Sequence, residues 1–393
     1  MRATSITLIC LLLTLSCSRK EERTLSFYRN PQNKAENKHS VFLNPVDTIN
    51  IQVPSDKGNR FLQGYLYKDS LLYAVSLYEK LTIDIYDIKR KQFVNEIKID
   101  PGPTRTLSIA NFAVAAPDSI FIIPSPNPGV HLINSKSEFI KIWDKYDLQI
   151  SGSFDPILAD QGFGICGSSG LQNVTLDNQN NIMYMVLSPL STIDEIGDPI
   201  PKRHGIYDLK NSKWIGLLAP YEGVLKNKGE GRYYFDMHHP YQLVLKGKLY
   251  VTYPVDHRVY VYNIASRKLI LEKEISPTFA TQIPEPLYDA NAFDYNKLVK
   301  LRGETAYYGP LYYHPTPKVY SRFYNLEKKE GKTRERAIII YDKDFNIISE
   351  NVFPIENITR IQASDDGFYV QPQPNILNAD TLVLIHFKIC SYR

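Results

Sequence analysis

Cysteine is scarce in this sequence, and its spacing argues against several common kinds of site. Of four cysteines, only Cys166 and Cys390 lie beyond the N-terminal segment. There is no Cys-x-x-Cys pair and no Cys/His spacing fit for zinc, so neither a zinc module nor a thioredoxin-type redox site is expected. The sequence cannot show whether these two thiols come within disulfide range, and we expect two separate buried thiols.

Signatures of common enzyme classes are also lacking. No Gly-x-Ser-x-Gly elbow, His-Glu-x-x-His helix or EF-hand loop occurs. The glycine-rich stretch at residues 162–170 has no Lys-Ser/Thr of a phosphate-binding loop, and we interpret it as a flexible connection. A net charge of +4, scattered along the chain, does not favour nucleic acid. The sequence therefore predicts no cofactor, no bound metal and no nucleic-acid partner.

The N-terminus has a short apolar run at residues 6–15, too short to span a bilayer and typical of a signal-peptide core. It ends in Leu15-Ser16-Cys17, which resembles a bacterial lipobox. We therefore predict a lipoprotein signal peptide at residues 1–16, lipidation of Cys17 and a flexible polar tether at residues 17–39. An ordinary secretory signal cleaved nearby is the alternative.

The location follows from the same segment. Lys20-Glu21-Glu22 resembles the surface-export signal of Bacteroidota lipoproteins. A solvated charged tether would have the same composition. We expect an outer-membrane lipoprotein, anchored to the membrane through Cys17, on the cell surface or on the periplasmic face.

Tryptophan is rare, with two residues, whereas tyrosine is abundant, with 28. Tyrosine suits the pleated, half-buried surface of a sheet, so this imbalance favours an all-β fold. Residues 64–100 contain runs at 71–77, 81–88 and 93–99, which are separated by polar turns. Alternation such as Leu81, Ile83 and Ile85 on one face is typical of an antiparallel meander. Residues 290–301 are the best candidate for a short helix in a loop.

Variants of this unit recur along the chain. Each has a strand that ends in Tyr-Asp, Tyr-Asn or Ile-Asn, then a polar turn, then an apolar strand. The markers are Asp87, Asn134, Asp208, Asn263 and Asp342. Repeats of about four strands predict a β-propeller, because one sheet cannot bury both faces alone.

Six units fit between residues 40 and 393, which we predict to be a single propeller domain. Seven blades would follow if residues 151–187 contained a full blade. The last unit has only about three strands, and residues 46–53 form a surplus strand near the start. We therefore predict that this N-terminal strand completes the last blade and closes the ring.

A lipobox, a charged tether and Tyr-rich six-bladed repeats together resemble the TolB-like or NHL-like propeller lipoproteins of unknown function that are common in Bacteroidota. Two segments are similar to one such group: Tyr307-Tyr308-Gly309-Pro310-Leu311-Tyr312-Tyr313 and Val319-Tyr320-Ser321-Arg322-Phe323-Tyr324. The resemblance covers residues 40–393 and implies the propeller architecture. It carries over no activity and no functional residue.

The region from Tyr307 to Tyr324 is the best candidate for a ligand-binding surface, because aromatic faces beside an arginine bind sugars or peptides. Packing between blades would explain much of the same pattern. The predicted ligand-binding residues are Tyr308, Tyr312, Tyr313, His314, Arg322 and Tyr324.

Histidines offer the only other chemistry. His238-His239 beside Asp236 is the densest group of metal-ligand types, but neighbouring strand residues point to opposite faces, so we expect polar loop residues there. His204 and His257 are expected in solvated loops.

Three functions of different classes remain open. The first is a lipid-anchored cell-envelope propeller that acts as a binding or scaffold module for a glycan, a peptide or a partner protein. The second is a propeller hydrolase or lyase with a His/carboxylate site at the central channel. Convergence of His204, His238, His239, His257 and His314 would favour the enzyme. The third is a purely structural envelope protein.

Overall fold

The computed structural model describes twelve stretches longer than five residues and four shorter pieces of the chain. They are residues 41–54, 61–76, 81–101, 108–125, 129–144, 147–151, 163–165, 174–189, 202–225, 237, 239–278, 300, 303–330, 334–354, 358–372 and 380–391. Within these residues no helix is long and apolar enough to cross a membrane. The one complete helical turn there is a 3-10 turn, Gly223–Leu225.

Nearly all of this part is β-strand, arranged as six antiparallel sheets that form the blades of a propeller. The N-terminal strand is β1 (Val41–Gln52). Blade 1 contains β2 (Phe61–Tyr67), β3 (Leu71–Ser76), β4 (Thr82–Asp87) and β5 (Gln92–Lys98). Blade 2 contains β6 (Ser108–Ala116), β7 (Ser119–Ser125), β8 (Val130–Ile133) and β9 (Phe139–Trp143). Blade 3 contains β10 (Phe163–Ile165), β11 (Val174–Asp177), β12 (Ile182–Pro189), β13 (His204–Asp208) and β14 (Lys213–Leu218). Blade 4 contains β15 (Tyr241–Leu245), β16 (Lys248–Thr252), β17 (Val259–Asn263) and β18 (Lys268–Lys273). Blade 5 contains β19 (Tyr307–His314), β20 (Val319–Asn325), β21 (Glu335–Tyr341) and β22 (Ile347–Pro354). Blade 6 contains β23 (Ile358–Ala363), β24 (Gly367–Pro372) and β25 (Thr381–Ser391), together with β1. The all-β, six-bladed prediction is confirmed.

Tight turns join the first two strands of a blade. In blade 1, Lys68 and Asp69 have φ angles of 49° and 50°, and Ser70 N donates to Tyr67 O at 3.2 Å. In blade 4, Lys246 and Gly247 have φ angles of 50° and 72°. Two successive positive φ angles give the turn whose twist matches that of paired strands. The loop has two residues in blade 4 and three residues in blade 1.

The five repeat markers occupy one structural position, the turn from the third strand of a blade to the fourth. Asp87 Oδ1 accepts from Arg90 N at 2.8 Å, and Asn263 Oδ1 accepts from Ser266 N at 2.8 Å. The other three markers cap their turns in related ways. The register also shifts just before the marker in these five blades, as between Ile85 and Tyr86. A short side chain that satisfies the turn explains why Asp or Asn recurs there.

The N-terminal strand closes the ring, as predicted. β1 pairs with β25 from Val41 opposite Ser391 to Gln52 opposite Thr381, so blade 6 contains the order β1-β25-β24-β23. Ile49 and Ile51 of β1 are buried between this blade and blade 1. The outermost strand of blade 6 therefore comes from the opposite end of the chain to its other three.

Blade 3 departs from the expected pattern. β10 and β11 both pair with β12, so its inner edge consists of two short strands rather than one. Residues 151–187 therefore supply strands of blade 3 and not a seventh blade. The interpretation of residues 162–170 as a flexible connection was wrong for Phe163–Ile165, which pairs with β12. The expected helix at 290–301 lies outside the described residues except for Lys300.

The core consists of layers between adjacent blades. The layer between blades 1 and 2 includes Ile83, Ile85, Phe112 and Ile122, and the layer between blades 5 and 6 includes Ile338, Phe353, Phe368 and Phe387. The first strands of the blades meet around the axis, with β2 against β6, β6 against β11, β11 against β15 and β15 against β19. This arrangement leaves a space along the axis that no single blade encloses.

Candidate functional site: the axial cavity

All six blades contribute to one cavity on the propeller axis. Its volume is about 650 Å³, and its wall includes residues of β2, β6, β11, β15, β19 and β23. Small-molecule sites in proteins generally have volumes of about 300–1,000 Å³. The cavity is therefore large enough for a compact organic ligand.

The wall combines aromatic rings with neutral amides. The aromatic residues of the wall are Tyr65, Phe112, Tyr241, Tyr307, Tyr312, Tyr313 and Phe323. The amide residues of the wall are Gln63, Asn111, Gln242, Asn325 and Gln362. Rings supply apolar contact area, and amides supply both donors and acceptors, so the wall suits a ligand that has apolar faces and many polar groups.

Several polar residues of the wall lie at the end of the cavity where the inner strands begin. Gln63 and Arg360 lie near the starts of β2 and β23, and Tyr307 begins β19. Neighbouring strands of a blade are antiparallel, so the connections between blades join the strands at this same end. The described parts of these connections include residues 219–225 and 274–278, whereas the turn at Lys68 and Asp69 lies at the other end.

Two arginines provide the charge of this end. Arg336 comes from the third strand of blade 5, where it lies opposite Asn325, which in turn lies opposite Tyr307. This register places all three side chains on one face of the blade. Arg336 Nε donates to Asn325 Oδ1 at 2.7 Å. Arg336 makes no other hydrogen bond to the described residues, so its two terminal nitrogens are available to a ligand.

Burial acts against the charged form of both arginines. Burial lowers the pKa of Arg336, and the nearby charges of Arg334 and Arg360 lower it further, while Tyr307 acts in the opposite sense. Burial also lowers the pKa of Arg360. Among the described residues of the wall, no side chain carries a carboxylate. Both charged side chains of the described wall are therefore cationic.

Neutral polar atoms of the wall are also available. Gln63 donates from Nε2 to Asn111 Oδ1 at 2.9 Å, while its carbonyl oxygen accepts no hydrogen bond from the described residues. The ring of Tyr312 packs on Phe323 with centroids 5.4 Å apart, and its hydroxyl makes no hydrogen bond to the described chain. Burial raises the pKa of Tyr312, so its hydroxyl stays protonated and can donate.

Comparison with known proteins identifies the family. The profile of a family described as a domain of unknown function, DUF4221, matches residues 40–352. The chain belongs to the DUF4221 family. A crystal structure of a DUF4221 member from Bacteroides vulgatus superimposes with a TM-score of 0.70 at 15% identity, covering 91% of this chain and 100% of that chain. This likeness confirms the propeller of unknown function that the sequence predicted.

Two other solved structures show weaker likeness. A luciferin-regenerating enzyme gives a TM-score of 0.41 at 11% identity, covering 88% of this chain and 95% of that chain. Hydrazine synthase of Kuenenia stuttgartiensis gives a TM-score of 0.44 at 10% identity, covering 82% of this chain and 76% of that chain. No protein with a curated description matches the sequence.

In this DUF4221 protein, two of the six predicted ligand-binding residues, Tyr312 and Tyr313, line the cavity. The structure places Arg322 between blades 4 and 5. Its guanidinium donates to three carbonyl oxygens, of Gly309 at 3.0 Å, Asp256 at 3.0 Å and Tyr253 at 2.6 Å. Arg322 therefore joins the backbones of two blades.

The other predicted residues also lie in packing layers. The guanidinium of Arg322 lies 4.1 Å from the ring centroid of Tyr308, and the Tyr308 and Tyr324 centroids are 4.6 Å apart. His314 contacts the carbonyl oxygen of Ser364 and the hydroxyl of Ser321, at 2.8 and 2.7 Å. These four side chains are buried within the blade layers. Cys17 lies outside the described residues.

The described histidines have different neighbours. His204 Nδ1 lies 3.1 Å from Gln242 Oε1, and His257 Nε2 lies 3.2 Å from Glu274 Oε1. His238 lies outside the described residues, whereas His239 is buried. No group of three metal-ligand side chains occurs in the part of the chain that the structure describes.

Sequence reasoning missed Arg336, Arg360 and all five amides of the cavity wall. One signal was present. Arg360 stands within the strand Ile358–Ala363, directly before Ile361, where a charged side chain needs a polar environment. The environment became visible only when the six inner strands were assembled around one axis.

Proposed function

We propose that this protein is a lipid-anchored binding module of the cell envelope and that its axial cavity takes a small glycan. The observation that carries the proposal is the axial cavity of about 650 Å³, to which all six blades contribute and in which five of them supply aromatic or amide side chains. Sugars present both apolar faces and many hydroxyls, and such a wall complements both.

The anchor is the second part of the proposal. Leu15-Ser16-Cys17 supplies the residues for lipidation, and Lys20-Glu21-Glu22 follows directly. A lipid on Cys17 would hold the propeller at the outer membrane, on its surface or its periplasmic face. Cys17→Ser should shift the protein from the membrane fraction to the soluble fraction. Wild-type protein that carries no lipid by intact-mass measurement would contradict the anchor.

Binding is tested with the full chain on an array of glycans and peptides. We expect selective retention of small glycans. Thr175→Trp places a bulky ring at the cavity wall in β11 and should abolish retention, whereas Val94→Trp on the outer strand β5 is the matched control. Equal retention of glycans by the Thr175→Trp and Val94→Trp variants would contradict an axial site. Retention of peptides or of a whole envelope protein, without retention of glycans, would show that the ligand is a peptide or a protein.

A further inference from the structure

We infer that the ligand of the axial cavity is an acidic saccharide, whose carboxylate is bound by Arg336 at the polar end. This inference rests on the proposed function and adds to it the charge of the ligand and the residues that recognise it. It concerns one end of the cavity, where the inner strands β2, β19 and β23 begin.

The first argument is geometric. Arg336 is fixed at Nε by Asn325 Oδ1 at 2.7 Å, which orients the planar guanidinium and leaves both terminal nitrogens without a hydrogen-bond partner among the described residues. A planar fork with two free donors matches the two oxygens of a carboxylate. Arginine is the side chain best suited to this bidentate contact, since lysine offers only a point charge.

The second argument is electrostatic. Arg336 lies in the cavity wall, and burial is the main cause that lowers its pKa. Tyr307 acts in the opposite sense, and the positive charges of Arg334 and Arg360 make smaller contributions that lower the pKa. A charge in a partly desolvated wall gains most from an opposite charge held within contact distance. An anionic group on the ligand supplies it for Arg336.

The third argument separates a sugar acid from a simple anion. The cavity is much larger than a carboxylate, and the rest of its wall includes seven aromatic residues and five amides beside aliphatic side chains. The free hydroxyl of Tyr312 and the free carbonyl oxygen of Gln63 can donate to and accept from sugar hydroxyls. Aromatic rings, including Tyr65 and Tyr313, offer surfaces for the apolar face of a pyranose.

The test compares matched ligands by calorimetry with the full chain. The probes are glucuronate-containing disaccharides, the same disaccharides with glucose in place of glucuronate, and the dipeptide Glu-Glu. We expect the acidic sugars to bind at least about tenfold more tightly than the neutral ones, which corresponds to one carboxylate–arginine contact. Raising NaCl from about 50 mM to about 500 mM should weaken only the acidic ligands.

Variants locate the contact. Arg336→Gln should remove most of the preference for the acidic sugar, while Arg90→Gln, at an exposed turn of blade 1, should retain it within about twofold. Arg336→Lys keeps the positive charge but loses the planar pair of donors, and we expect its affinity for the acidic sugar to fall about tenfold. Tyr312→Phe removes one hydroxyl and keeps the packing, so it tests the site even if the arginine variants fail to fold.

The outcomes distinguish the two proposals. Equal binding of acidic and neutral sugars, unaffected by Arg336→Gln, would overturn this inference and leave the glycan-binding function in place. Tighter binding of Glu-Glu than of any sugar would overturn the saccharide class. Binding of none of the probes, with the protein folded, would overturn the proposed function and this inference together.

Discussion

At the residue scale, the buried histidines are neutral groups with fixed roles. His314 Nδ1 lies 2.8 Å from the carbonyl oxygen of Ser364, so Nδ1 must be the donor and Nε2 accepts from the Ser321 hydroxyl. His204 Nδ1 donates to Gln242 Oε1, because the amide nitrogen of Gln242 donates to Tyr184 O at 2.9 Å. Burial lowers the pKa of each to about 4.

These pKa values predict a loss of stability in mild acid. Between the unfolded pKa near 6.5 and the folded pKa of about 4, the unfolded chain binds the proton and the native chain does not. Stability therefore falls as the pH is lowered through this window. Each histidine should contribute a loss of about 2 kcal/mol between about pH 7 and pH 5. Urea unfolding at the two pH values measures it.

The His314→Gln variant should show a smaller difference between the two pH values, and a double variant with His204→Gln a smaller one still. Ser321→Ala is the control, since it removes a partner of His314 but leaves its titration in place. A double variant that loses as much stability in acid as the wild type would contradict the assignment.

At the scale of the element, one short device is used in five blades. A marker Asp or Asn caps the turn to the outer strand, and a register shift in the third strand precedes it. Asp342 shows the device most completely. Its Oδ1 accepts from Asp344 N at 2.8 Å and Asn346 N at 2.9 Å, and its Oδ2 accepts from Asn346 Nδ2 at 2.9 Å. Because this turn is fixed, it sets the register in which the outer strand pairs with the third strand of the blade.

Loss of the cap should destabilise the protein modestly. We expect Asp342→Ala to lower the free energy of unfolding by about 1 kcal/mol, as for other Asp caps of backbone N–H groups. Asp342→Asn is the matched control, because the chain itself uses asparagine at Asn134 and Asn263. The midpoint of urea unfolding measures both. Equal midpoints for the alanine and asparagine variants would show that the cap contributes nothing.

At the scale of the whole molecule, stability depends on closure of the ring. β1 contributes the buried side chains of Leu43, Ile49 and Ile51, and it pairs with β25 over the length of that strand. Without β1, a long strand edge of blade 6 would lack its partner, and such edges pair with other chains. The two ends of the sequence therefore stabilise each other.

A pair of truncations tests this closure. Deletion of residues 1–53 removes β1 and should lower the melting temperature by about 10 °C or more and cause oligomers, because five buried aliphatic side chains and a strand partner are lost. Deletion of residues 1–39 keeps β1 and should leave a monomer with wild-type melting. Size-exclusion chromatography and thermal unfolding distinguish the two. A monomeric, equally stable product of the longer deletion would contradict the role of β1.

The sequence by itself determined the architecture, because the signals for it are local. Alternation within a strand and an Asp or Asn at each turn act within one blade, and the surplus strand at residues 46–53 predicted the closure. Only the tertiary structure decided which side chains face the axis. Arg322 and Arg336 are both arginines in adjacent strands of blade 5, yet one is enclosed between blades and the other lines the cavity. Alternation shows that a strand has two faces, but the neighbour of each face is set by blades that are distant in the chain.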